Sequence, residues 1–370
     1  MRPFVLVVLL LLALVVMVNG LATWDRARHE ARIARAAAAF QPGLALLGYR
    51  DTDERRFQKA RLAVIPRPRI VAFGSSRVMA VSTPMVGAAP GEFYNAGLSG
   101  GSPEDFIVLW TTLRDRDKAP EAAIFAIDNW TFNRSHPQVR WLAWADEVAR
   151  FVDTQDGSPA WGGSWVPLVL YRWYQVKDLL SFSVFRSSLR DLDRLLAGRP
   201  ARGAEIVRSL GTELIDARDV DGHRALLADG SLRYETSYER RGPNEVRADA
   251  IDLAVRLRGG LGAFAWDADR VRRLGSLWRD MRKHGVRIVA YLPPYHPVTW
   301  DLLRRDDGAM AGLVETRVAL EALAAGAGAS VFDLSNPASV PCGEDEFLDG
   351  NHARASCMTR ILSRIGTRSP

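Results

Sequence analysis

The sequence predicts an α/β fold built on a mostly parallel sheet, and three observations predict it. Five apolar runs, Ile70 to Phe73, Glu92 to Ala96, Ala122 to Ile127, Val286 to Tyr291 and Ala329 to Leu334, are too short for helices and read as buried strands. Each run stops at glycine, polar residues or proline. Between most of them lie stretches with apolar residues at helical spacing, so βα units follow one another.

In chain order, Phe4 to Ala22 is almost uninterrupted Val and Leu after Met1, Arg2 and Pro3. Its length suits a single membrane crossing, and residues 1–23 read as an uncleaved transmembrane signal anchor. Arg26, Arg28, Arg32 and Arg35 follow it. On the positive-inside rule they would hold the rest of the chain in the cytoplasm. The Ala/Arg-rich segment within 24–63 predicts a helical stalk. Residues 64–130 form the first part of the core, with Gly74 able to carry the chain off the first strand's carboxyl end. A short helix is expected after Ser76. Pro103 opens a helix whose Phe106, Leu109, Trp110 and Leu113 share one face.

Residues 131–263 break this rhythm and read as a large helical insertion, a lid or a substrate- or partner-facing subdomain. It holds Trp141, Trp144, Trp161, Trp165 and Trp173, a predicted helix from Pro167 to Leu196, and an Asp229-Gly230 hairpin signal. The tryptophans form either a binding surface or a second small core. Arg258-Gly-Gly-Leu-Gly262 reads as the linker back. The second part of the core, 264–370, opens with a helix capped by Asp267 and ended by Gly285. One helix from about Val298 to Ala325 and a closing helix complete it.

The net charge of +6 is carried by arginines scattered among Asp and Glu, with only four lysines, Lys59, Lys118, Lys177 and Lys283. That distribution describes a solvated surface and argues against nucleic acid as a partner. There is no phosphate-binding glycine loop and no His/Cys cluster with metal spacing, so neither a cofactor nor a metal is expected.

Two places carry chemistry. Gly74-Ser75-Ser76-Arg77 sits at a strand's carboxyl end, where open α/β sheets place their ligands. Asp349-Gly-Asn-His352 lies in the last loop, where a serine's base and the carboxylate that orients it could share one turn. Between them, Asn95 precedes a glycine-rich loop through Gly100, and Asp128-Asn129 follows the third strand. His296, between prolines at the end of the fourth strand, is a further position that could line the site. Cys342 and Cys357 bracket the Asp349–His352 turn in a loop able to form a disulfide, which would require an oxidising compartment; two unpaired thiols are the alternative.

The order of these blocks over 64–130 and 265–366 resembles the SGNH, or GDSL-like, hydrolase superfamily. The resemblance implies a flavodoxin-like three-layer α/β sandwich. It places Ser76 on the nucleophile, Asp349 and His352 on acid and base, and Ser76, Gly100 and Asn129 on the oxyanion hole. Ser75, Arg77, Asn95, Asp128 and His296 fall near that site. Three departures stand out: Ser75 replaces the usual aspartate, Arg77 stands where leucine is common, and Asp128 falls where the oxyanion asparagine belongs. Either Asn129 takes that role through a shifted turn, or the donor is missing.

The Gly-Ser-Ser variant behind an anchor resembles membrane-anchored cell-envelope acyl-transfer proteins. It implies a single-pass inner-membrane protein with a periplasmic serine esterase or O-acyltransferase domain, against the arginines after the span. Its partners would be an acyl donor, a glycan acceptor and a membrane acyltransferase. The alternatives are an inactive protein of the same fold serving envelope polysaccharide assembly or binding, and a membrane-tethered scaffold.

Overall fold

The computed structural model describes residues 12–17, 26–48, 53–135, 138–156, 213–220, 222–262 and 264–366. Among the described residues nine strands form two sheets. The first contains β2 (Ile70–Gly74), β3 (Phe93–Asn95), β4 (Ala122–Ala126), β8 (Arg287–Leu292) and β9 (Ser330–Asp333), all parallel, in the order β3-β2-β4-β8-β9. The chain steps from β2 to one side, then crosses back to β4 and continues to the other edge. This reversal opens a crevice at the carboxyl ends of β2 and β4.

Residues alternate between two covered faces, as a parallel sheet requires. Val71, Phe73, Phe125, Ile288 and Ala290 pack against Phe106, Trp110, Leu277, Trp278 and Leu320. These come from the helices Pro103–Arg114, Ala268–Lys283 and Asp307–Ala327. Ile70, Ala72, Ile124, Val289 and Tyr291 face the opposite way, toward Val86, Val246, Met358 and Ile361. Helices therefore lie on both sides of the sheet. Register fixes the strand ends: Gly74 pairs with Ala126, Ala126 with Tyr291, and Leu292 with Asp333. The loops that follow these strands consequently meet along one edge.

The second sheet is antiparallel, in the order β5-β1-β6-β7. Its strands are β1 (Leu44–Leu47), β5 (Glu213–Asp216), β6 (Ala225–Leu227) and β7 (Leu232–Arg233). The Asp229-Gly230 signal does turn β6 into β7, with Gly230 at φ +79°. β1 was not expected, because it lies inside the segment read as a stalk. That segment does not stand off the domain. Ile33, Ala36 and Ala37 of the helix Arg26–Ala39, with Phe40 just after it, pack with Phe57, Leu46, Leu226, Met79 and Leu348.

Other expectations change as well. Trp141, Leu142 and Trp144, with Val148 and Phe151 of the helix Ala145–Asp156, join the main core rather than a separate one. Trp161, Trp165, Trp173 and the predicted helix from Pro167 to Leu196 lie outside the described residues. The expected linker at Arg258 is the last turn of the helix Pro243–Gly262. The single helix expected after the fourth strand is two, Pro297–Leu303 and Asp307–Ala327, because the Asp306 side chain accepts the Ala309 N–H and starts a new helix. Of the expected membrane span only residues 12–17 are described, as helix, and no helix among the described residues is long and apolar enough to cross a membrane.

Candidate active site

The chain leaves β2 at Gly74, where a Cβ would sit 2.9 Å from both the Ala126 carbonyl oxygen and Val78 Cγ1, so only glycine fits without displacement. A turn follows, with the Val78 N–H donating to the Ser75 carbonyl at 3.1 Å. It leaves Ser76 half-buried and facing a cavity of about 410 Å³. Ser75 is buried, and its Oγ accepts the Arg77 N–H at 3.3 Å without lining the cavity.

Opposite Ser76, the loop before the helix Ala355–Arg364 presents His352, with Nε2 2.9 Å from Ser76 Oγ and Nδ1 2.7 Å from Asp349 Oδ2. A carboxylate can only accept, so Nδ1 carries the proton toward Asp349 and Nε2 is free to accept from the serine. Asp349 Oδ1 meanwhile accepts the backbone N–H groups of Asn351 and His352 at 2.9 and 2.8 Å. Burial pushes the Asp349 carboxyl upward, but His352, Tyr238 and the Asn351 N–H outweigh it and hold the group well below the usual carboxylate range. Cys342 and Cys357 form a disulfide, Cα atoms 5.5 Å apart, which ties the start of this loop to the helix that ends it.

Gly100, at φ +59°, lines the cavity beside Ser99. The Ser99 carbonyl accepts from Arg140 Nη1 at 3.2 Å, and the Gly100 carbonyl from Gln138 Nε2 at 2.6 Å. The Ser99 N–H is taken by Glu54 at 2.8 Å. Every other backbone polar group of this peptide pair is thereby engaged. In a trans peptide N–H and C=O point oppositely, so a Ser99 carbonyl held by Arg140 turns the Gly100 N–H the other way.

The remaining expected residues lie behind the cavity wall. Asn95 is fully buried and organises the turn after Ser76: its Nδ2 donates to the carbonyls of Val78 and Val81, both at 2.8 Å, and its Oδ1 accepts the Gly97 N–H. Asp128 pairs with Arg77, Oδ1 to Nη1 at 3.2 Å. Asn129, expected as a third oxyanion donor, is not in the wall. The turn that closes Thr131 N–H onto the Asp128 carbonyl leaves the Asn129 carbonyl accepting from Thr316 Oγ1 at 3.1 Å, and its side chain is buried beside the Tyr295 hydroxyl. His296 is likewise buried. Its Nδ1 accepts the Val298 N–H, and its ring meets Phe347 edge-on at 5.5 Å, so it packs the loop and caps a helix; burial lowers its pKa.

The other wall comes from the segment after β5 and was not anticipated: Arg224, Tyr234, Glu235 and Tyr238. Tyr238 Oη donates to Asp349 Oδ2 at 2.6 Å. No spacing in the sequence marks these residues, because they reach the site through the β6–β7 hairpin, whose Leu232 N–H donates to the Met79 carbonyl at 2.7 Å. Among the described residues no cluster of three or more His, Cys, Asp or Glu is arranged to hold a metal ion. The sequence matches no family model, and it matches no curated protein.

Proposed function

We propose that this chain is a serine-dependent acyl-transfer enzyme, an esterase or O-acyltransferase of the SGNH type, acting through a covalent acyl-serine. The observation that carries the reading is the continuous hydrogen-bonded series Ser76 Oγ, His352 Nε2, His352 Nδ1 and Asp349 Oδ2, at 2.9 and 2.7 Å, at the mouth of a cavity. The strand order with helices on both faces, matching the flavodoxin-like arrangement, supports the SGNH assignment.

Ser76 Oγ attacks the ester carbonyl carbon while its proton passes to His352 Nε2. The Ser76 and Gly100 N–H groups face the negative oxygen of the tetrahedral intermediate. Collapse breaks the bond to the leaving alcohol, which takes the proton from His352. In the second half an acceptor hydroxyl, from water or a sugar, gives its proton to His352 and attacks the acyl-serine carbonyl carbon; collapse breaks the bond to Ser76 Oγ, which takes the proton back from His352. Asp349 keeps the imidazole in the required tautomer throughout.

A disulfide around the Asp349–His352 turn fits an oxidising compartment, so we place the domain in the periplasm behind an inner-membrane anchor. An envelope glycan is the acceptor we favour, with a membrane acyltransferase as the source of acyl groups. The competing reading is a catalytically inactive protein of the same fold, and the absence of Asn129 from the cavity wall favours it. Labelling with a fluorophosphonate separates the two. Wild-type protein labelled at Ser76, with Ser76→Ala and His352→Ala unlabelled, supports catalysis; an unlabelled wild type sinks it.

A further inference from the structure

Asp349 Oδ2 accepts two hydrogen bonds at once, from His352 Nδ1 at 2.7 Å and from the Tyr238 hydroxyl at 2.6 Å. Its other oxygen is already occupied by two backbone N–H groups. A carboxylate has about four acceptor positions, and all of them are in use. The tyrosine donor does not come from the five-stranded sheet or its loops. It lies on the short helix Thr236–Glu239 directly after β7, and so reports the position of the second sheet at the first.

We propose that Tyr238 is a positioning residue for the acid–base pair: its hydroxyl shares one carboxylate oxygen with His352, and thereby sets how strongly Asp349 stabilises the protonated imidazole. The inference rests on the triad reading above. Its physical basis is competition for charge. A second donor on Oδ2 disperses the negative charge that His352 would otherwise feel alone, and a protonated imidazole is stabilised less. The hydroxyl remains a donor across the working range, because burial and the adjacent Asp349 charge push the Tyr238 phenol far above its ordinary value.

The titratable and charged groups around the pair include Arg224 and Glu235, which line the same cavity, the Arg224 guanidinium standing 5.3 Å over the Tyr234 ring. Tyr234 lies 5.2 Å from the Tyr238 ring and meets His352 edge-on at 6.2 Å. The Arg241 guanidinium stands 5.5 Å over the Tyr238 ring, and His296 interacts with Asp349 from the loop after β8. Arg77 touches the same loop through the Asn351 carbonyl. The tyrosine hydroxyl and the histidine Nδ1, both on Oδ2, are the pair to be tested.

The readout is the second-order rate of inactivation by a fluorophosphonate against pH, on the full chain. It rises along an acid limb as His352 becomes able to accept the serine proton. Tyr238→Phe removes only the donor and should move that limb to higher pH by on the order of half to one unit. At a pH below the limb this is a loss of roughly three- to tenfold. Incorporating 3-fluorotyrosine at position 238 keeps the shape, strengthens the donor and should move the limb the other way. An unmoved limb in Tyr238→Phe, or shifts of the same sign in both variants, overturns the inference even if the plateau falls, since a purely structural role lowers the plateau alone. Ser76→Ala is run alongside. If it stays reactive, the triad reading fails and this inference with it; if it is inert and the limb is unmoved, only the role of Tyr238 fails.

Discussion

Arg77 and Asp128 form an ion pair with side chains only 3% and 4% exposed. The two residues are two of the three departures from the pattern that the sequence resembles, at the ends of the first and third core strands, and each supplies the reason for the other. An arginine after the serine requires a buried carboxylate, and the aspartate in place of asparagine is that carboxylate. The same guanidinium donates to the carbonyls of Pro293, Pro294 and Asn351 and stacks on Tyr295 at 4.6 Å. It therefore joins the ends of β2, β4 and β8 to the loop that carries Asp349 and His352.

Removing one partner of a buried pair leaves the other charge uncompensated, which costs about 3–5 kcal/mol. Arg77→Met should lower unfolding free energy by that order and Asp128→Leu similarly, while the double variant should recover much of the loss. Urea titrations of the four proteins measure the coupling. Strict additivity would show that the pair does not act as a unit.

Gly100→Ala should combine strain at positive φ with a Cβ placed 2.5 Å from Gln138 Nε2. Displacing the Gly100 N–H should reduce ester turnover by roughly a hundredfold or more. Gly43→Ala, at φ +86° with nothing within 4 Å of its Cβ, is the control that carries backbone strain alone. Equal losses in the two would remove Gly100 from the site.

Cys342 and Cys357 enclose a loop with a sequence separation of 15 residues, for which the chain-entropy model gives stabilisation of about 3 kcal/mol. Reduction should lower the melting temperature and accelerate proteolysis within the enclosed turn first. Peptide mapping after a short protease exposure, with and without reductant, checks this. Cleavage starting elsewhere in both samples would mean that the crosslink does not hold the turn.

Glu54 gives a pH dependence of defined sign. Burial pushes its carboxyl above the usual 4.5, with Asp105 adding to the effect and the Ser99 N–H and Arg55 opposing it. The folded state thus binds the proton more tightly than the unfolded chain, so this group's contribution to stability falls as pH rises from about 4.5 through the raised folded value. Glu54→Gln should melt higher than wild type near neutral pH, and the difference should shrink at about pH 4. A difference independent of pH would rule out the linkage.

Much of the first sheet was legible because a strand buried on both faces must be written as a short apolar run, and all five runs became strands within two residues at each end. Ser76, Asp349 and His352 were legible as candidates because a Gly-Ser-Ser turn at a strand's carboxyl end and an Asp-x-x-His spacing within one loop are both local patterns, and the fold brings them within hydrogen-bond reach. β1 was not, since four residues, Leu44–Leu47, carry too little pattern to distinguish a strand from the tail of an alanine-rich helix. Tyr238 and the Arg77–Asp128 pair were invisible for a different reason. Their partners are 111 and 51 residues away, and no local period encodes a contact at that range.

The place of β1 in the middle of the second sheet also bears on how the molecule is made. Its two neighbours, β5 and β6, are synthesised long after it. At about 5–20 residues per second, the roughly 165 residues between Leu47 and Glu213 take on the order of ten seconds to half a minute to emerge. For that interval β1 has two open edges while the strands around Ser76 are already pairing. The wall that carries Tyr238 is therefore built after the turn at Ser76 has emerged and before the loop that bears Asp349 and His352, so the two sides of the cavity are made in separate stages and meet only when the chain is nearly complete.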